Sequence, residues 1–289
     1  MRGNPEAHMM VAPHTLDEAL TLLAEAPGEW TPIAGGTELM VAHAAGRLTA
    51  QKLMSVQALG ELDGVEAAEG WLRIGGGATF GQLRVNSLIG VEFPLLAKAA
   101  AWVGSIANQS RATVAGNIVN GSPAADGPTA LLVYDAEIEL ISRAGRRRMP
   151  YAEFHTGYKR SVLRGDELVL ALHLPRRFVQ HRQYLRKVGA RRAMAITKVA
   201  IGASCLLSDG RVEEIRLAGA SVADRPVRLL QTEEALVGRV VTEETKAAAR
   251  SALFDEVKPI DDIRSTALYR RAVAVNLLDE FLNELRASV

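Results

Sequence analysis

Apolar residues recur at helical spacing in several parts of the chain. Within Thr15–Ala26, apolar side chains fall at positions 16, 19, 20, 22 and 23, and Thr15 is followed three residues later by Glu18. A threonine and a glutamate at this spacing before an apolar run form a capping box, so a helix is expected to begin here. The same periodicity predicts further helices at Leu95–Val103, Thr232–Val237, Glu243–Leu253 and Thr266–Leu285.

Shorter apolar runs, some of them alternating with polar residues, predict strands. The run Trp30–Ala34 leads directly into a pair of glycines, which indicates a buried strand that ends in a tight turn. Lys198–Leu207 and Arg211–Ala220 flank the sequence Ser-Asp-Gly, which is typical of a hairpin between paired strands. The remaining predicted strands are Trp71–Gly77, Ala136–Ser142 and Leu168–Leu174, the last of them closed by Pro175.

Glycine is distributed unevenly, and its distribution divides the chain. Glycines cluster in Ile33–Thr37, Ile74–Gly81 and Val114–Gly121 and become sparse in the final third. The stretch Arg176–Arg192 is dense in arginine and lysine and follows the glycine-rich part. We therefore expect two regions that are joined at this basic stretch.

Composition is that of an ordinary globular chain. Its 289 residues are 48% hydrophobic and 23% charged, with a formal net charge of +1. The balanced charge gives no electrostatic reason to expect a nucleic-acid or membrane-surface binder. No apolar run approaches the roughly 18 residues of a membrane span, and no secretory signal pattern opens the chain. A cytoplasmic protein without a membrane span is expected.

The residues that usually build metal centres and hydrolytic sites are few or badly spaced. Cys205 is the single cysteine, so this chain's own thiols can form neither a disulfide nor an iron–sulfur cluster. The six histidines show no metal-ligand spacing. No Gly-x-Ser-x-Gly sequence supports a nucleophilic serine. We therefore assign neither a metal site nor a catalytic residue to this chain.

Two glycine-containing loops carry the strongest functional signal. Adjacent glycines let consecutive backbone N–H groups converge on an anion such as a diphosphate, and Ala34–Thr37 (AGGT) has this form. Thr113–Asn117 (TVAGN), followed by Ser122–Asp126 (SPAAD), is a second such element. The glycine patterns of a Rossmann site and of a P-loop are absent. If a dinucleotide binds, another fold holds it between these two loops.

These segments resemble the FAD-binding subunit of the molybdenum hydroxylases, which is the xanthine dehydrogenase and carbon monoxide dehydrogenase family. The resemblance covers nearly the whole chain. It is carried by Ile33–Leu39 (IAGGTEL), Thr113–Ile118 (TVAGNI), Asn120–Asp126 (NGSPAAD), Leu185–Lys187 (LRK), Ile260–Arg264 (IDDIR) and Tyr269–Arg271 (YRR).

For the fold, the resemblance implies an α+β protein. A two-lobed FAD-binding domain of the vanillyl-alcohol oxidase (PCMH) type is expected over residues 1–177, with lobes of about 1–57 and 58–177. A smaller α+β domain, similar to the C-terminal domain of CO dehydrogenase flavoproteins, is expected over residues 178–289.

The resemblance also implies which residues contact FAD. Gly35, Gly36 and Thr37 would donate hydrogen bonds to the diphosphate. Asp126 would accept hydrogen bonds from the adenosine side, and Lys187 would reach the isoalloxazine, where a cation suits the negative charge of the reduced ring. The expected cofactor-binding set is Ile33, Ala34, Gly35, Gly36, Thr37, Glu38, Leu39, Thr79, Gly104, Thr113, Gly116, Asn117, Ala125, Asp126, Leu168, Val169 and Lys187.

Several of these residues also allow plainer interpretations. Asp126 stands beside a glycine and a proline and would equally cap a turn, and Lys187 in a basic stretch would equally be a solvated side chain. Glu38 would equally cap the helix that follows the glycine turn. Ala115 stands where the family usually has a glycine, so its methyl group would narrow the cofactor's approach.

The function implied is electron transfer through non-covalently held FAD. A small partner subunit would supply [2Fe–2S] clusters, a large one would supply molybdopterin, and the final acceptor would be NAD, oxygen or a quinone. One alternative is a stand-alone FAD reductase of the UDP-N-acetylenolpyruvoylglucosamine reductase type, which has a similar glycine turn. The other is a non-catalytic nucleotide-binding assembly subunit.

Overall fold

A parallel sheet with two helices forms the first part of the molecule. The computed structural model describes residues 3–191 and 193–287. Strands β1 (Met9–Val11), β2 (Trp30–Ile33) and β3 (Lys52–Ser55) lie in the order β1-β3-β2, and helices α1 (Leu16–Glu25) and α2 (Leu39–Ala44) connect them.

Helix α1 confirms the first predicted helix and shows how it begins. The Thr15 hydroxyl accepts a hydrogen bond from the Glu18 amide at 3.2 Å, which is half of the predicted capping box. The Glu18 carboxylate accepts from the amide of His14 at 2.8 Å instead of from that of Thr15. The buried face of α1 consists of Leu16, Ala19, Leu20 and Leu23.

An antiparallel sheet forms the centre of the molecule. Its strands are β4 (Val65–Ala68), β5 (Trp71–Gly75), β6 (Glu137–Ser142), β7 (Gly145–Pro150) and β10 (Leu168–Pro175), in the order β4-β5-β10-β6-β7. The chain between β5 and β6 contains α3 (Phe80–Val85), α4 (Ser87–Glu92), α5 (Pro94–Trp102), α6 (Ile106–Gln109), α7 (Val114–Val119) and α8 (Asp126–Val133). The short pair β8 (His155–Gly157) and β9 (Arg160–Ser161) follows β7, and single 3-10 turns lie at Pro5–Ala7, Gly60–Leu62 and Tyr151–Glu153.

Strand β10 is buried on both faces, which explains its nearly continuous apolar sequence. Leu168 and Leu170 pack with α1 in one hydrophobic cluster, whereas Val169, Leu172 and Leu174 belong to the central cluster beneath α5 and α8. The predicted strands at Ala136–Ser142 and Leu168–Leu174 are confirmed within one residue at each end. The predicted strand Trp71–Gly77 ends at Gly75, because the next two glycines turn away from the sheet.

A second antiparallel sheet and three helices form the last part of the molecule. Strands β11 (Arg182–Val188), β12 (Val199–Ser208), β13 (Arg211–Ala220) and β14 (Val227–Arg228) follow one another in this order across the sheet. Helices α9 (Leu230–Glu234), α10 (Glu243–Glu256) and α11 (Ala267–Arg286) cover it. The predicted hairpin is confirmed, with Asp209 at φ 49° and Gly210 at φ 73° in the turn.

One prediction in this part needs correction, and another stays a prediction. The basic stretch Arg176–Arg192, where two regions are predicted to join, contains strand β11, in which Tyr184 and Leu185 are buried; Arg192 lies outside the described residues. The helix predicted at Thr232–Val237 lies instead at Leu230–Glu234. The Glu256 carboxylate accepts hydrogen bonds from the amide and the hydroxyl of Thr232 at 3.0 and 2.7 Å, which places Thr232 inside the first turn.

The central antiparallel sheet and the second antiparallel sheet are joined through α8 and the turn that follows it. A Cβ atom on Gly202 of β12 would lie 3.0 Å from the side chain of Thr129, so α8 rests directly on this glycine. Asp135 at the end of α8 accepts hydrogen bonds from Arg177 at 2.7 Å and from Arg216 at 2.8 Å, and it also pairs with Arg228. We call this group the Asp135 cluster. Arg216 and Arg228 belong to the second sheet, so the cluster fixes that sheet to the centre of the molecule.

Replacing Tyr134 by phenylalanine tests the hydrogen bonds that its hydroxyl makes beside the Asp135 cluster. The buried Tyr134 hydroxyl accepts a hydrogen bond from the Leu95 amide at 2.9 Å and donates one to Gln183 at 2.5 Å. Its removal leaves the buried Leu95 amide and the half-buried Gln183 side-chain oxygen without this partner, so we expect Y134F to lower the free energy of unfolding by about 2 kcal/mol. Urea denaturation measures this, with the exposed Tyr158→Phe as the matched control, expected within about 0.5 kcal/mol of the parent. Equal free energies of unfolding for Y134F and Y158F would contradict a stabilising role of the Tyr134 hydroxyl.

The helices described in residues 3–191 and 193–287 include none with the length and apolar character of a membrane span. The same described residues contain no group of three or more histidine, cysteine, aspartate or glutamate side chains that are placed to hold a metal ion.

Candidate functional site

A cavity of about 510 Å³, the first cavity, lies between the parallel sheet and the central sheet. Its volume falls within the range of about 300–1,000 Å³ that is usual for ligand pockets. The residues of the predicted set that line it are Ala34, Gly35, Gly36, Thr37, Glu38, Leu39, Thr113, Gly116, Asn117, Leu168 and Val169. The structure therefore brings together residues from three separate segments of the chain.

Close backbone contact between the two predicted loops closes one side of this cavity. A Cβ atom on Gly35 would lie 1.8 Å from the carbonyl oxygen of Arg111, so only glycine fits at position 35. In return, Nε of Arg111 donates a hydrogen bond to the Gly35 carbonyl at 3.1 Å. The first loop (Ala34–Leu39) and the second loop (Thr113–Asn117) are thereby held at a fixed separation.

The first loop presents unsatisfied backbone donors. In the described part of the chain, no protein acceptor is bonded to the amides of Gly35, Gly36, Thr37 and Glu38. Gly36 has a φ of 70°, a backbone conformation that glycine adopts without strain. Consecutive free N–H groups around such a residue form a concave site for an anion. Glu38 occupies the N-cap position of α2, but its side chain makes no capping hydrogen bond there.

The second loop was expected to present free backbone amides to an anion, as the first loop does, but its amides are bonded within the protein. The amides of Val114 and Ala115 donate to the carbonyls of Ala78 and Gly76 at 2.9 and 3.0 Å. The amides of Gly116 and Asn117 donate to the hydroxyl and the carbonyl of Thr113 at 3.2 and 3.0 Å. Because these donors are already bonded within the protein, the second loop offers the cavity its side chains and its glycine surface instead.

Four predicted residues lie outside the walls of this cavity and of the second cavity described below. Ile33 is buried at the end of β2. Thr79 caps α3 in a reciprocal capping box with Gln82, which engages its hydroxyl and its amide. Ala125 is buried at the N-cap of α8, and Asp126 is the first residue of that helix. These four residues do not line either cavity, and their contacts with the cofactor stay predictions.

Asp126 forms a buried ion pair with Lys187. The Asp126 carboxylate accepts hydrogen bonds from Nζ of Lys187 and from the hydroxyl of Thr197, both at 2.8 Å. Burial raises the pKa of Asp126, and the charge and hydrogen bond of Lys187 oppose this rise. The Lys187 side chain is only 9% exposed, so the interpretation of Lys187 as a solvated residue is wrong. Each Asp126 oxygen accepts one hydrogen bond within the protein, and a carboxylate oxygen can accept a second, so the adenosine contact of Asp126 stays a prediction.

Lys187 and Gly104 line a second cavity of about 560 Å³. Trp102, Arg191 and Met194 also contribute to its wall. Val103 lines the first cavity, whereas its neighbours Trp102 and Gly104 line the second. Both cavities therefore border one short segment of chain at the end of α5.

Several residues of the site were missed by sequence reasoning. Gly76, Gly77, Arg164 and Glu167 line the first cavity, and Arg111 joins its two loops. The glycines belong to a cluster that the sequence already marked as unusual. The charged turn before β10 offered a signal for Arg164 and Glu167, since a glutamate directly before a buried, mostly apolar strand requires a partner.

Glu167 supports the wall of the first cavity next to β10. Its carboxylate accepts two hydrogen bonds from Arg147, at 2.7 and 2.8 Å, and one from the Arg164 amide at 2.8 Å. Burial acts to raise the pKa of Glu167, but these bonds and the arginine charges outweigh it, and the pKa is lowered. The carboxylate is therefore ionised and fully engaged near neutral pH, where it holds the turn in place.

Comparison with known proteins gives matches along the whole chain. The family described as FAD binding domain in molybdopterin dehydrogenase matches residues 6–177, and the CO dehydrogenase flavoprotein C-terminal domain matches residues 184–285. The xanthine dehydrogenase FAD-binding subunit of Escherichia coli O157:H7 is 31% identical over 95% of this chain and 94% of the relative. The carbon monoxide dehydrogenase medium chain of Hydrogenophaga pseudoflava is 25% identical over 94% of each chain.

Solved structures show the same fold. A chain of carbon monoxide dehydrogenase from Hydrogenophaga pseudoflava superposes with a TM-score of 0.93 at 26% identity, and the match covers 98% of this chain and 99% of that one. A chain of quinoline 2-oxidoreductase from Pseudomonas putida 86 has a TM-score of 0.90 at 23% identity and shares the fold.

Proposed function

This chain belongs to the family of FAD-binding subunits of the molybdenum hydroxylases, and from that premise we propose that it transfers electrons between an iron–sulfur partner and a final acceptor. The resemblance drawn from the sequence and the α+β fold class are confirmed by the two family matches and the structural match. The chain is an FAD-dependent oxidoreductase subunit, as its dehydrogenase relatives are.

The single observation that supports the cofactor site most strongly is the row of free amides from Gly35 to Glu38 on the wall of the first cavity. FAD carries a diphosphate, and such a row of donors suits it. The groove on either side of this row is lined by Thr113, Asn117, Leu168 and Val169, which offer polar and apolar contacts. The residues present therefore fit the cofactor.

In this proposal, FAD carries out the redox chemistry and the residues of the protein bind and position it. Bound FAD accepts electrons singly and releases them in pairs. The protein's residues bind and orient the cofactor, and the wall at Leu168 and Val169 shields it from water. The buried ion pair of Asp126 and Lys187 holds a cation at the wall of the second cavity. We propose that this second cavity admits the isoalloxazine end of FAD or the final acceptor.

Partner subunits supply the remaining centres in this proposal. The relatives include subunits named as medium chains of dehydrogenases, which supports a small and a large partner. Because Cys205 is the single cysteine and is buried, the [2Fe–2S] clusters must reside on another chain. We propose that the small partner carries the clusters, that the large one carries molybdopterin, and that NAD, oxygen or a quinone is the final acceptor.

The proposed domains are residues 1–177, which hold FAD, and residues 178–289, which form the C-terminal domain. The family matches to 6–177 and 184–285 support this division. The sheets support it as well, because β1 to β10 lie in the first part and β11 to β14 lie in the second.

Purification of the full chain tests the proposal. We expect a yellow protein with about one FAD per chain, bleached by dithionite, whose flavin is released on denaturation because it is held non-covalently. Gentle purification from the native host should recover an iron–sulfur chain and a molybdopterin chain together with it. Repeated recovery of a colourless protein would contradict the flavin assignment. Turnover of UDP-N-acetylenolpyruvoylglucosamine with NADPH by the isolated chain would instead identify a stand-alone reductase.

A further inference from the structure

The free edge of strand β2 lies along the first cavity. Trp30, Thr31 and Pro32 all line that cavity, and β2 is an outer strand of the parallel sheet, next to β3. The turn at Gly165 closes the cavity beside the start of this strand, because the Gly28 amide donates to the Gly165 carbonyl at 3.0 Å. A ligand group in this part of the cavity therefore meets backbone atoms that no neighbouring strand covers.

The register of the sheet shows which backbone groups of β2 point to this edge. The Ile33 carbonyl accepts a hydrogen bond from the Val56 amide at 3.0 Å, just beyond β3, so Ile33 faces β3. Backbone groups of successive strand residues point to alternate sides, so Thr31 also faces β3, whereas Trp30 and Pro32 face the free edge. Among the described residues, no loop or turn amide donates to the carbonyls of Trp30 and Pro32.

Pro32 determines what this edge can bind. A proline has no N–H and fits a sheet only at an edge, so at this position the edge offers an acceptor without a donor. A ligand group that pairs with the Pro32 carbonyl must donate a hydrogen bond, and the exocyclic amine of adenine is such a donor. Leu23, Trp30 and Leu163 line the same cavity and provide apolar contacts for the faces of a purine.

The position of the edge suits the adenosine end of FAD. Pro32 lies three residues before Gly35, which is at most about 11 Å, and the free amides that suit the diphosphate begin at Gly35. The ribose of adenosine bridges a distance of this order. None of the residues of β2 lines the second cavity, where Lys187 lies and where the isoalloxazine end is proposed.

We propose that the free edge of β2 selects adenine, because the carbonyls of Trp30 and Pro32 accept hydrogen bonds from the adenine amine of FAD. This inference rests on the proposed function, since it requires FAD in the first cavity. It assigns the recognition of the base to backbone atoms. A dinucleotide whose base lacks the amine leaves both carbonyls unpaired.

Binding of a dinucleotide without the amine tests the proposal. Flavin purine dinucleotide, in which hydrogen replaces the amine of adenine, is compared with FAD on the flavin-stripped full chain by flavin fluorescence quenching. We expect the analogue to bind about tenfold more weakly, because it loses hydrogen bonds to the edge. The two ligands share the same flavin and diphosphate, so the difference reports on the base alone. Equal dissociation constants would overturn the inference and leave the flavin assignment intact.

Isotope labelling locates the contact. The dipeptide Pro-Ile occurs twice, at 32–33 and at 259–260. Labelling proline carbonyls with ¹³C and isoleucine amides with ¹⁵N therefore gives two carbonyl–amide correlations in the NMR spectrum. The Pro32 carbonyl signal should shift when FAD binds and should shift less with the analogue, because a hydrogen bond deshields the carbonyl carbon. Pro259 lines neither cavity, so its signal is the internal control and should be the same with both ligands.

The two measurements separate this edge from other acceptors. If the analogue binds more weakly but the Pro32 signal is the same with both ligands, another acceptor, such as the Asp126 carboxylate, holds the amine and the inference is wrong. If the parent chain binds no FAD, the proposed function fails, and this inference fails with it.

Discussion

Gly35→Ala is expected to give a colourless protein, because it no longer retains flavin. Its free energy of unfolding should be lower by about 3 kcal/mol, which is the upper end of the usual cost of adding a group to a closely packed site. The added methyl group would lie 1.8 Å from the carbonyl oxygen and 2.5 Å from the carbonyl carbon of Arg111. Both are backbone atoms, so no side chain can move aside. The loops must separate, and the four free amides of the first loop then lose their position relative to the second loop.

Urea denaturation of the flavin-free protein and the flavin content after purification measure the two parts of this effect. Gly90→Ala is the matched control, because a Cβ at Gly90 in α4 meets nothing within 4 Å. This control should retain flavin fully and gain up to about 1 kcal/mol, the helix preference of alanine over glycine. If G35A retains flavin and stability as G90A does, the contact between the loops is not as close as described.

Asp126→Ala is expected to lower the free energy of unfolding by about 3–5 kcal/mol, which is the usual cost of removing one partner of a buried ion pair. Nζ of Lys187 lies 2.8 Å from the carboxylate, and the two side chains are 9% and 10% exposed. Without Asp126, the ammonium group is left buried with no carboxylate beside it. The Thr197 hydroxyl loses its acceptor as well.

Two further variants determine whether the unpaired charge causes this loss. The double variant Asp126→Leu with Lys187→Met replaces both charges by apolar groups and should recover most of the stability. Asp224→Ala breaks a pair whose side chains are 48% and 36% exposed, and it should cost less than about 1 kcal/mol. Chemical denaturation at neutral pH measures all of these. A cost for D126A as small as that for D224A would refute the role of the pair.

Elements with a strong local pattern were predictable from the sequence. The capped periodicity of Thr15–Ala26 gave α1, and the Ser-Asp-Gly turn gave the hairpin of β12 and β13. The apolar run at Leu168–Leu174 gave β10, since a strand buried on both faces needs few polar residues. In these cases, the residues that decide the structure are close together along the chain.

Features that depend on distant partners were not predictable in the same way. The strand β11 is hidden in a basic stretch because its arginines are held at the surface while Tyr184 faces a core supplied by later residues. The second loop resembled a backbone binding site for an anion, but the carbonyls of Ala78 and Gly76 accept hydrogen bonds from the amides of Val114 and Ala115. The bond between Lys187 and Asp126 spans 61 positions in the sequence. No local pattern reveals such a pairing.

The Asp135 cluster limits how this protein can be rearranged. Arg216 and Arg228 rely on a carboxylate that belongs to the flavin-binding half, and α8 rests on Gly202 of the other half. Cutting the chain after residue 177 would separate both guanidinium groups from Asp135, leaving Arg216 with Glu214 and Arg228 with Glu233, and it would uncover the apolar helix α8. Neither half is therefore expected to be transferable by itself. Exchanging the C-terminal half between relatives requires that Arg216, Arg228 and Asp135 be exchanged together.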